Sequence, residues 1–328
     1  MEAPRTYHLA VAGPDPSRSE PETPLNPAQR RVIDLLGRGA ERAELPAGIH
    51  GELRAVLEEE LEPLAEHLGD TPLWVSKHAL ATVHACEAHY VASVDDRFDW
   101  TPANARGIVA HRAIEILVHW QGDPAPADVV DETIARLTDE HDRGGIGGFL
   151  AAIDPYDRAE LRGLAVEHVT AFTECFPRLK AAWRPRTEAR MRVELLDGRV
   201  VLSGKVDLSL GRPGDKVIID LKTGYPRQQH REDLRFYALL ETLSLGVAPR
   251  KLASYYLDAA ATHPEDVTEG VLRAALRRTV DGIHRIVDVR GQHREPERTP
   301  GPQCNWCAVF EGCGPGRAAR AAFDDESR

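Results

Sequence analysis

The sequence predicts an α+β protein, and three patterns along it carry that prediction. From Asn26 to about Lys180 apolar residues recur at helical spacing. From Arg186 the period shortens to two over three consecutive runs. A helix, a strand and a further long helix then follow. The order is α-β-β-β-α-β, a mixed sheet flanked by helices, with a helical addition in front.

Residues 1–25 are rich in Pro, Ser and Glu and read as disordered, as does the polar tail 317–328. Pro27 suits a first helical turn, and Val32, Leu35 and Leu36 keep helical spacing. Longer amphipathic stretches occupy about 50–68, 76–92, 104–120 and 156–180, with breaks at QGDPAPAD and RGGIGG. The runs TEARMRVEL, RVVLSGKVDLSL and KVIIDLKTG read as strands joined by the turns DG and GRPGD. The helix in EDLRFYALLETLSLG, the strand LASYYLD and a helix over about 265–289 complete the core. No internal repeat is visible. These elements divide the chain into a helical region 26–180, a core 181–290 and a cysteine-bearing segment 291–316.

At 328 residues the chain fits one elaborated domain or two intimate ones. Apolar residues make up 42% and charged residues 28%, and no apolar run approaches the roughly 20 residues of a membrane helix. No membrane partner is expected. The N-terminus lacks the basic start and apolar stretch of a secretory signal, so the cytoplasm is the expected location. A net charge of −11 argues against coating nucleic acid by bulk electrostatics. The acids crowd into 52–66, however, while 184–192 and 273–298 are rich in arginine, which leaves room for a basic groove. PLNPAQRRVIDLL is similar to a glutamine motif of some helicases, but no GxxxxGK[ST] loop follows, so an ATP-driven motor is disfavoured.

In KVIIDLKTG the strand period sends Asp220 and Lys222 to one face with Ile218, and Val217, Ile219 and Leu221 to the other. Such a strand reads as central and buried on both sides. A carboxylate and an ammonium at its end need partners or a metal. Asp207 near the end of the preceding strand can come alongside Asp220, and two neighbouring carboxylates repel unless a cation lies between them. Mg²⁺ or Mn²⁺ suits oxygen ligands. The chemistry that uses this set is phosphodiester hydrolysis: the metal polarises the phosphate and acidifies a water, and the lysine orients that water or stabilises developing charge. The alternative is a salt bridge on a surface hairpin.

Three of the five cysteines lie in CNWCAVFEGC, at Cys304, Cys307 and Cys313. Three thiolates leave a tetrahedral or cubane site one ligand short, and Cys86, Cys175 or a histidine remains open as the fourth. The close CxxC spacing disfavours disulfides.

The run Glu188…Gly204-Lys205-Val206-Asp207…Ile219-Asp220-Leu221-Lys222-Thr223-Gly224…Leu234-Arg235-Phe236-Tyr237-Ala238 resembles the RecB-type branch of the PD-(D/E)XK nuclease superfamily, whose core is restriction-endonuclease-like. The resemblance implies metal binding by Asp207 and Asp220 and a catalytic Lys222. It places Leu221 among the metal positions, Glu188 as a helper and Tyr237 on the following helix. In the family's QxxxY pattern this chain has Asp233 in place of glutamine, with Gln228 and Gln229 just upstream. Gly107-Ile108-Val109-Ala110-His111-Arg112-Ala113-Ile114-Glu115 is similar to the family's GxxxHxxLE pattern, which implies that His111 is a metal ligand. A lone histidine of this kind otherwise reads as a core residue.

The segment around Ser76, Leu80 and Cys86 is similar to the one that supplies a first cysteine in iron–sulfur members of the superfamily, such as the AddB nuclease domain and the CRISPR-associated adaptation exonucleases. That likeness implies a [4Fe–4S] cluster on Cys86, Cys304, Cys307 and Cys313, with structural Zn²⁺ as the alternative, and leaves Cys175 as a buried thiol. The expected protein is a metal-dependent deoxyribonuclease, an exonuclease or flap-type enzyme of DNA repair or recombination. Its expected partners are single-stranded DNA or duplex ends, and a helicase or repair protein of unknown identity. An inactive nucleic-acid-binding module of the same fold and an iron–sulfur redox or sensing protein are the alternatives.

Overall fold

The computed structural model describes residues 24–37, 43–69, 71–94, 99–139 and 145–326. The expected disorder of residues 1–23 lies outside the described residues. Four helices precede and follow a first short strand: α1 (Pro27–Leu36), α2 (Ile49–Leu61), then β1 (Leu73–Ser76), α3 (Lys77–Ala85) and α4 (Glu87–Val94). A helical layer follows: α5 (Pro102–His119), α6 (Pro126–Asp139), α7 (Ile146–Ala152) and α8 (Pro155–Cys175). The meander is β2 (Arg186–Leu195), β3 (Val200–Leu210) and β4 (Val217–Lys222). The chain closes with α9 (Gln228–Leu245), β5 (Lys251–Tyr256), β6 (Ala261–Asp266), α10 (Glu269–Arg290) and α11 (Gly314–Glu326).

All six strands form one mixed sheet, and β3 organises it. One edge of β3 pairs antiparallel with β2 from Arg186 to Leu195. The other edge is shared. Val200–Ser203 pair in parallel with β1, and Leu208–Leu210 pair antiparallel with β4. Because β1 runs with β3 and β4 against it, the C-terminal ends of β1 and β4 point at each other across the interval 204–207. That interval has no strand partner on this edge, and the sheet opens there.

The two faces of the sheet carry separate apolar layers. Leu53, Leu57 and Leu61 of α2, Leu239 and Leu240 of α9, and Ile283 and Ile286 of α10 cover one face. Val109 and Ile114 of α5, Ile134 of α6, and Leu161 and Val169 of α8 cover the other. Ile218 of β4 enters the first layer and Val217, Ile219 and Leu221 enter the second, so the strand is buried on both faces as its apolar run predicts. The acidic run 52–66 is the solvated side of α2, whose leucines at every fourth position face the core.

The structure departs from sequence expectation at several places. β1 interrupts the region that reads as wholly helical; its four residues, LWVS, are too short to show a period. The stretch 76–92 is two helices broken at Cys86, which is extended at φ −170° and ψ 119°. The segment ATHPED is a strand, and α10 begins at Glu269 rather than near 265. Its polar side chains and Pro264 fit an edge strand, pairing only with β5. The tail expected to be disordered is helical from Gly314 to Glu326, where alanines and arginines favour a helix and Arg320 lies 5.6 Å over the Phe310 ring.

Candidate active site

The opening beside residues 204–207 is the floor of a cleft of about 1310 Å³. Glu188, His111, Asp207, Asp220, Lys222 and Tyr237, all expected from sequence, line it together. β4 delivers Asp220 and Lys222 from one end of the gap. The start of α3 delivers Lys77 from the other, where Ser76 caps the helix by accepting from the Ala79 N–H at 3.2 Å.

Asp220 is 1% exposed. Its Oδ1 accepts from Lys77 Nζ at 3.0 Å, and Lys222 Nζ stands 2.6 Å from its Oδ2. Asp220 Oδ2 is thus buried and ion-paired with the Lys222 ammonium. Lys222 also reaches Asp233 Oδ2 at 3.4 Å. The residue standing where the family has glutamine is therefore a carboxylate partner of the candidate catalytic lysine. Burial raises the Asp233 pKa against the pull of Lys222 and Lys77.

Asp207 accepts the Leu221 backbone N–H at 2.9 Å on Oδ2, and His111 Nδ1 lies 3.6 Å from the same oxygen. Burial opposes the charge on Asp207, but His111, Lys77 and the Leu221 N–H hold its pKa down to about 2. Burial likewise disfavours the imidazolium, yet Asp207 raises the His111 pKa. The Leu221 side chain points into the apolar layer on the other face. Its side chain is no ligand; a leucine can offer a metal only its carbonyl oxygen.

Glu188 has φ 52°, a left-handed backbone that takes it out of the β2–β3 ladder between the pairs Thr187–Leu208 and Ala189–Val206. Its carboxylate pairs with Lys205. Tyr237 donates its hydroxyl to the Lys205 carbonyl at 2.6 Å, and Lys77 Nζ lies 4.9 Å from the Tyr237 ring centroid. Glu115 reaches the cleft but is engaged by Arg112. Gln228 and Gln229 are exposed at the start of α9, away from the cleft lining.

The donor types suit a hard divalent cation: two carboxylates and an imidazole line one opening. Among the described residues, the side chains as they stand form no group of three or more His, Cys, Asp or Glu that could hold a metal ion. Lys77 is the principal residue that sequence reasoning missed. A lysine in a first helical turn normally signals a solvated charge, and its partner lies far away in the chain.

The cysteines gather elsewhere. Cys86, Cys304, Cys307 and Cys313 line one pocket between the α3–α4 junction and the C-terminal segment, and none of them is in a disulfide. The Gly316 N–H donates to Cys313 Sγ at 3.4 Å. A Cβ built on Gly316 would lie 3.2 Å from Cys313 Sγ and 3.5 Å from Cys304 Sγ, so a side chain there would crowd Cys313. Burial raises the Cys307 pKa, and the other three thiols add to the rise. Cys175 ends α8 outside this pocket and is half-buried, not the buried thiol expected.

The clasp around Cys86 is polar. Glu87, 1% exposed, takes Arg294 Nη1 at 2.5 Å and Nη2 at 2.7 Å and the Glu297 N–H at 2.9 Å. Ala88 N–H bonds the Glu297 carbonyl at 3.1 Å, and Gln303 Nε2 bonds the Ala85 carbonyl at 3.2 Å.

A mixed sheet between helical layers, with an aspartate–leucine–lysine strand end facing a second aspartate, defines a restriction-endonuclease-like α+β protein. The family model for the PD-(D/E)XK nuclease superfamily matches residues 75–314, and the chain belongs to that superfamily. No curated protein matches the sequence significantly. Among solved structures, an exonuclease candidate from Eubacterium rectale aligns at 14% identity and TM-score 0.45, covering 82% of this chain and 93% of its own. The structure of SSO0001 aligns at 16% identity and TM-score 0.35, covering 81% of this chain and 96% of its own. None of the helices described is long and apolar enough to cross a membrane.

Proposed function

We propose that the protein is a metal-dependent deoxyribonuclease, an exonuclease acting on single-stranded DNA or duplex ends in repair or recombination in the cytoplasm. One observation carries the reading: Asp207, Asp220 and Lys222 meet at a single opening in the sheet. His111, Asp207 and Asp220 would hold Mg²⁺ or Mn²⁺, with the Leu221 carbonyl as a further donor. Bound there, the metal would polarise a phosphate and acidify water. Lys222, held between Asp220 and Asp233, is positioned to orient the attacking water or stabilise charge on the phosphate. Tyr237 braces the strand from behind by holding the Lys205 carbonyl. Glu188 keeps Lys205 at the rim, where it can meet the backbone of the nucleic acid.

Cys86, Cys304, Cys307 and Cys313 would hold a [4Fe–4S] cluster, or Zn²⁺ in its place. A cluster there would tie the α3–α4 junction to the C-terminal segment and act structurally. The Gly316 N–H bond to Cys313 Sγ and the room left by that glycine support the assignment.

The experiment uses linear and covalently closed circular DNA, labelled at either end, with Mn²⁺ and anaerobically prepared protein. An exonuclease degrades linear DNA from an end and spares the closed circle. Cutting of the circle would replace the exonuclease reading with an endonuclease one. No metal-dependent cleavage of any substrate would remove the enzyme and favour a binding module.

A further inference from the structure

The charges around Asp220 nearly cancel before any divalent cation arrives. Three carboxylates, Asp207, Asp220 and Asp233, meet two ammoniums, Lys77 and Lys222, so the group carries a single net negative charge. Adding a doubly charged cation leaves that group with a net positive charge in a partly desolvated place, which is unfavourable unless an anion joins it. The two lysines are not equivalent in this respect. Lys222 has a second carboxylate, Asp233 at 3.4 Å, and stays paired if Asp220 turns to a metal. For Lys77 the bonded carboxylate is Asp220, with the Tyr237 ring face 4.9 Å away and Asp207 and Asp233 acting at longer range.

We propose that Lys77 is the built-in counter-ion of this site: it neutralises Asp220 while no divalent cation is bound, yields that carboxylate to the cation, and then bonds a phosphate oxygen of the substrate. This rests on the metal-dependent nuclease reading above. The position of α3 suits the role, because β1 points the first residue of the helix into the unpaired interval of β3, directly opposite the end of β4. A lysine Nζ is mobile on its four-carbon stem, so it can exchange one oxygen anion for another without moving the helix. The rival role is a pin that fastens α3 to the sheet. The Ser76 cap and the burial of Leu80 and Val83 already fasten that helix, and a buried ion pair is seldom a net source of stability.

The test compares the parent with Lys77→Met, Lys77→Gln and Lys77→Arg, each checked for folding by circular dichroism and thermal melting. Mn²⁺ affinity without DNA is measured by calorimetry, and DNA affinity is measured in Ca²⁺. Lys77→Met should bind Mn²⁺ on the order of tenfold tighter than the parent, the scale of removing one competing charge beside a carboxylate. It should bind DNA more weakly, cleave it more slowly and melt no earlier. Lys77→Arg should return toward the parent in both affinities. Lys77→Gln carries the same test if the methionine variant does not fold.

Unchanged or weaker Mn²⁺ binding in a folded Lys77→Met or Lys77→Gln protein overturns the counter-ion role, and loss of melting temperature with it marks a structural pin. DNA affinity equal to the parent's overturns the substrate contact. A parent that binds no Mn²⁺ and cleaves no DNA overturns the nuclease reading together with this one, whereas a cleaving parent with unresponsive variants overturns this one alone.

Discussion

Tyr237 donates its hydroxyl to the Lys205 carbonyl at 2.6 Å, in the interval of β3 that neither β1 nor β4 pairs on that edge. A strand group left without a ladder partner is satisfied by a side chain from α9, and the sheet can stay open where the site needs room. The ring fits because residue 204 is glycine. A Cβ there would stand 2.8 Å from Tyr237 Cε1 and 3.1 Å from Leu240 Cδ2.

Gly204→Ala should therefore push Tyr237 off the Lys205 carbonyl and destabilise the protein by about 1 to 3 kcal/mol, the usual cost of overpacking a closed core. Urea titration of parent and variant measures it. A variant as stable as the parent would mean that the ring moves aside freely.

His111→Ala should weaken Mn²⁺ binding by about 1 to 3 kcal/mol, the scale of removing one partner from a buried charged site. Calorimetry reads the affinity directly. If only the melting temperature falls, His111 is a core histidine that happens to face Asp207.

The Glu87 carboxylate has its pKa lowered, first by its bonds to Arg294 and then, against burial, by the Glu297 N–H and Arg285. A depressed carboxylate stabilises the fold fully above its unfolded pKa and loses that stabilisation as pH falls through the folded value. Arg285 and Arg294 are 34% and 36% exposed, so solvent screening keeps the effect to about 1 to 2 kcal/mol. Glu87→Gln should fall short of the parent by that amount at neutral pH, and the gap should begin to narrow near roughly pH 4, where an ordinary glutamate protonates, and close as pH falls through the lower folded value. Urea midpoints of both proteins in the same metal-free form, taken across that range, show whether it does. A gap independent of pH would assign the effect to packing.

If the four clustered cysteines hold [4Fe–4S], anaerobically purified protein should be brown and carry about four irons per chain. Replacing any one of Cys86, Cys304, Cys307 or Cys313 with serine should bleach it and lower stability, because the tie between the α3–α4 junction and the C-terminal segment is cut. Cys175→Ser should stay coloured. Colourless protein with one zinc would change the metal and keep the ligands; bleaching by Cys175→Ser alone would refute the ligand set.

Much of this arrangement is legible in the sequence where local pattern and chemistry coincide. The apolar run Val217–Ile219 followed by Asp220 and Lys222 reveals a buried central strand ending in charge, and the structure buries it on both faces. His111 and Asp207 are legible through their motifs. Lys77 is not, because its meaning depends on β1 facing β4 across the gap, a relation that no local window contains. Asp233 reads as a departure from a pattern and gains its sense only from the 3.4 Å contact with Lys222. α11 is hidden by its polar composition, which a helix on the surface shares with a disordered tail.

The most direct test of the central claim is the rate of Mn²⁺-dependent cleavage of end-labelled DNA by the parent, Asp220→Asn and Lys222→Met, with Mn²⁺ affinity measured on the same samples. Asparagine keeps the shape of Asp220 and removes its charge. A metal-dependent nuclease built on this site predicts cleavage by the parent that EDTA abolishes. It also predicts loss of both cleavage and Mn²⁺ binding in Asp220→Asn, and loss of cleavage with Mn²⁺ binding retained in Lys222→Met. Cleavage by a folded Asp220→Asn protein at the parent's rate would contradict it.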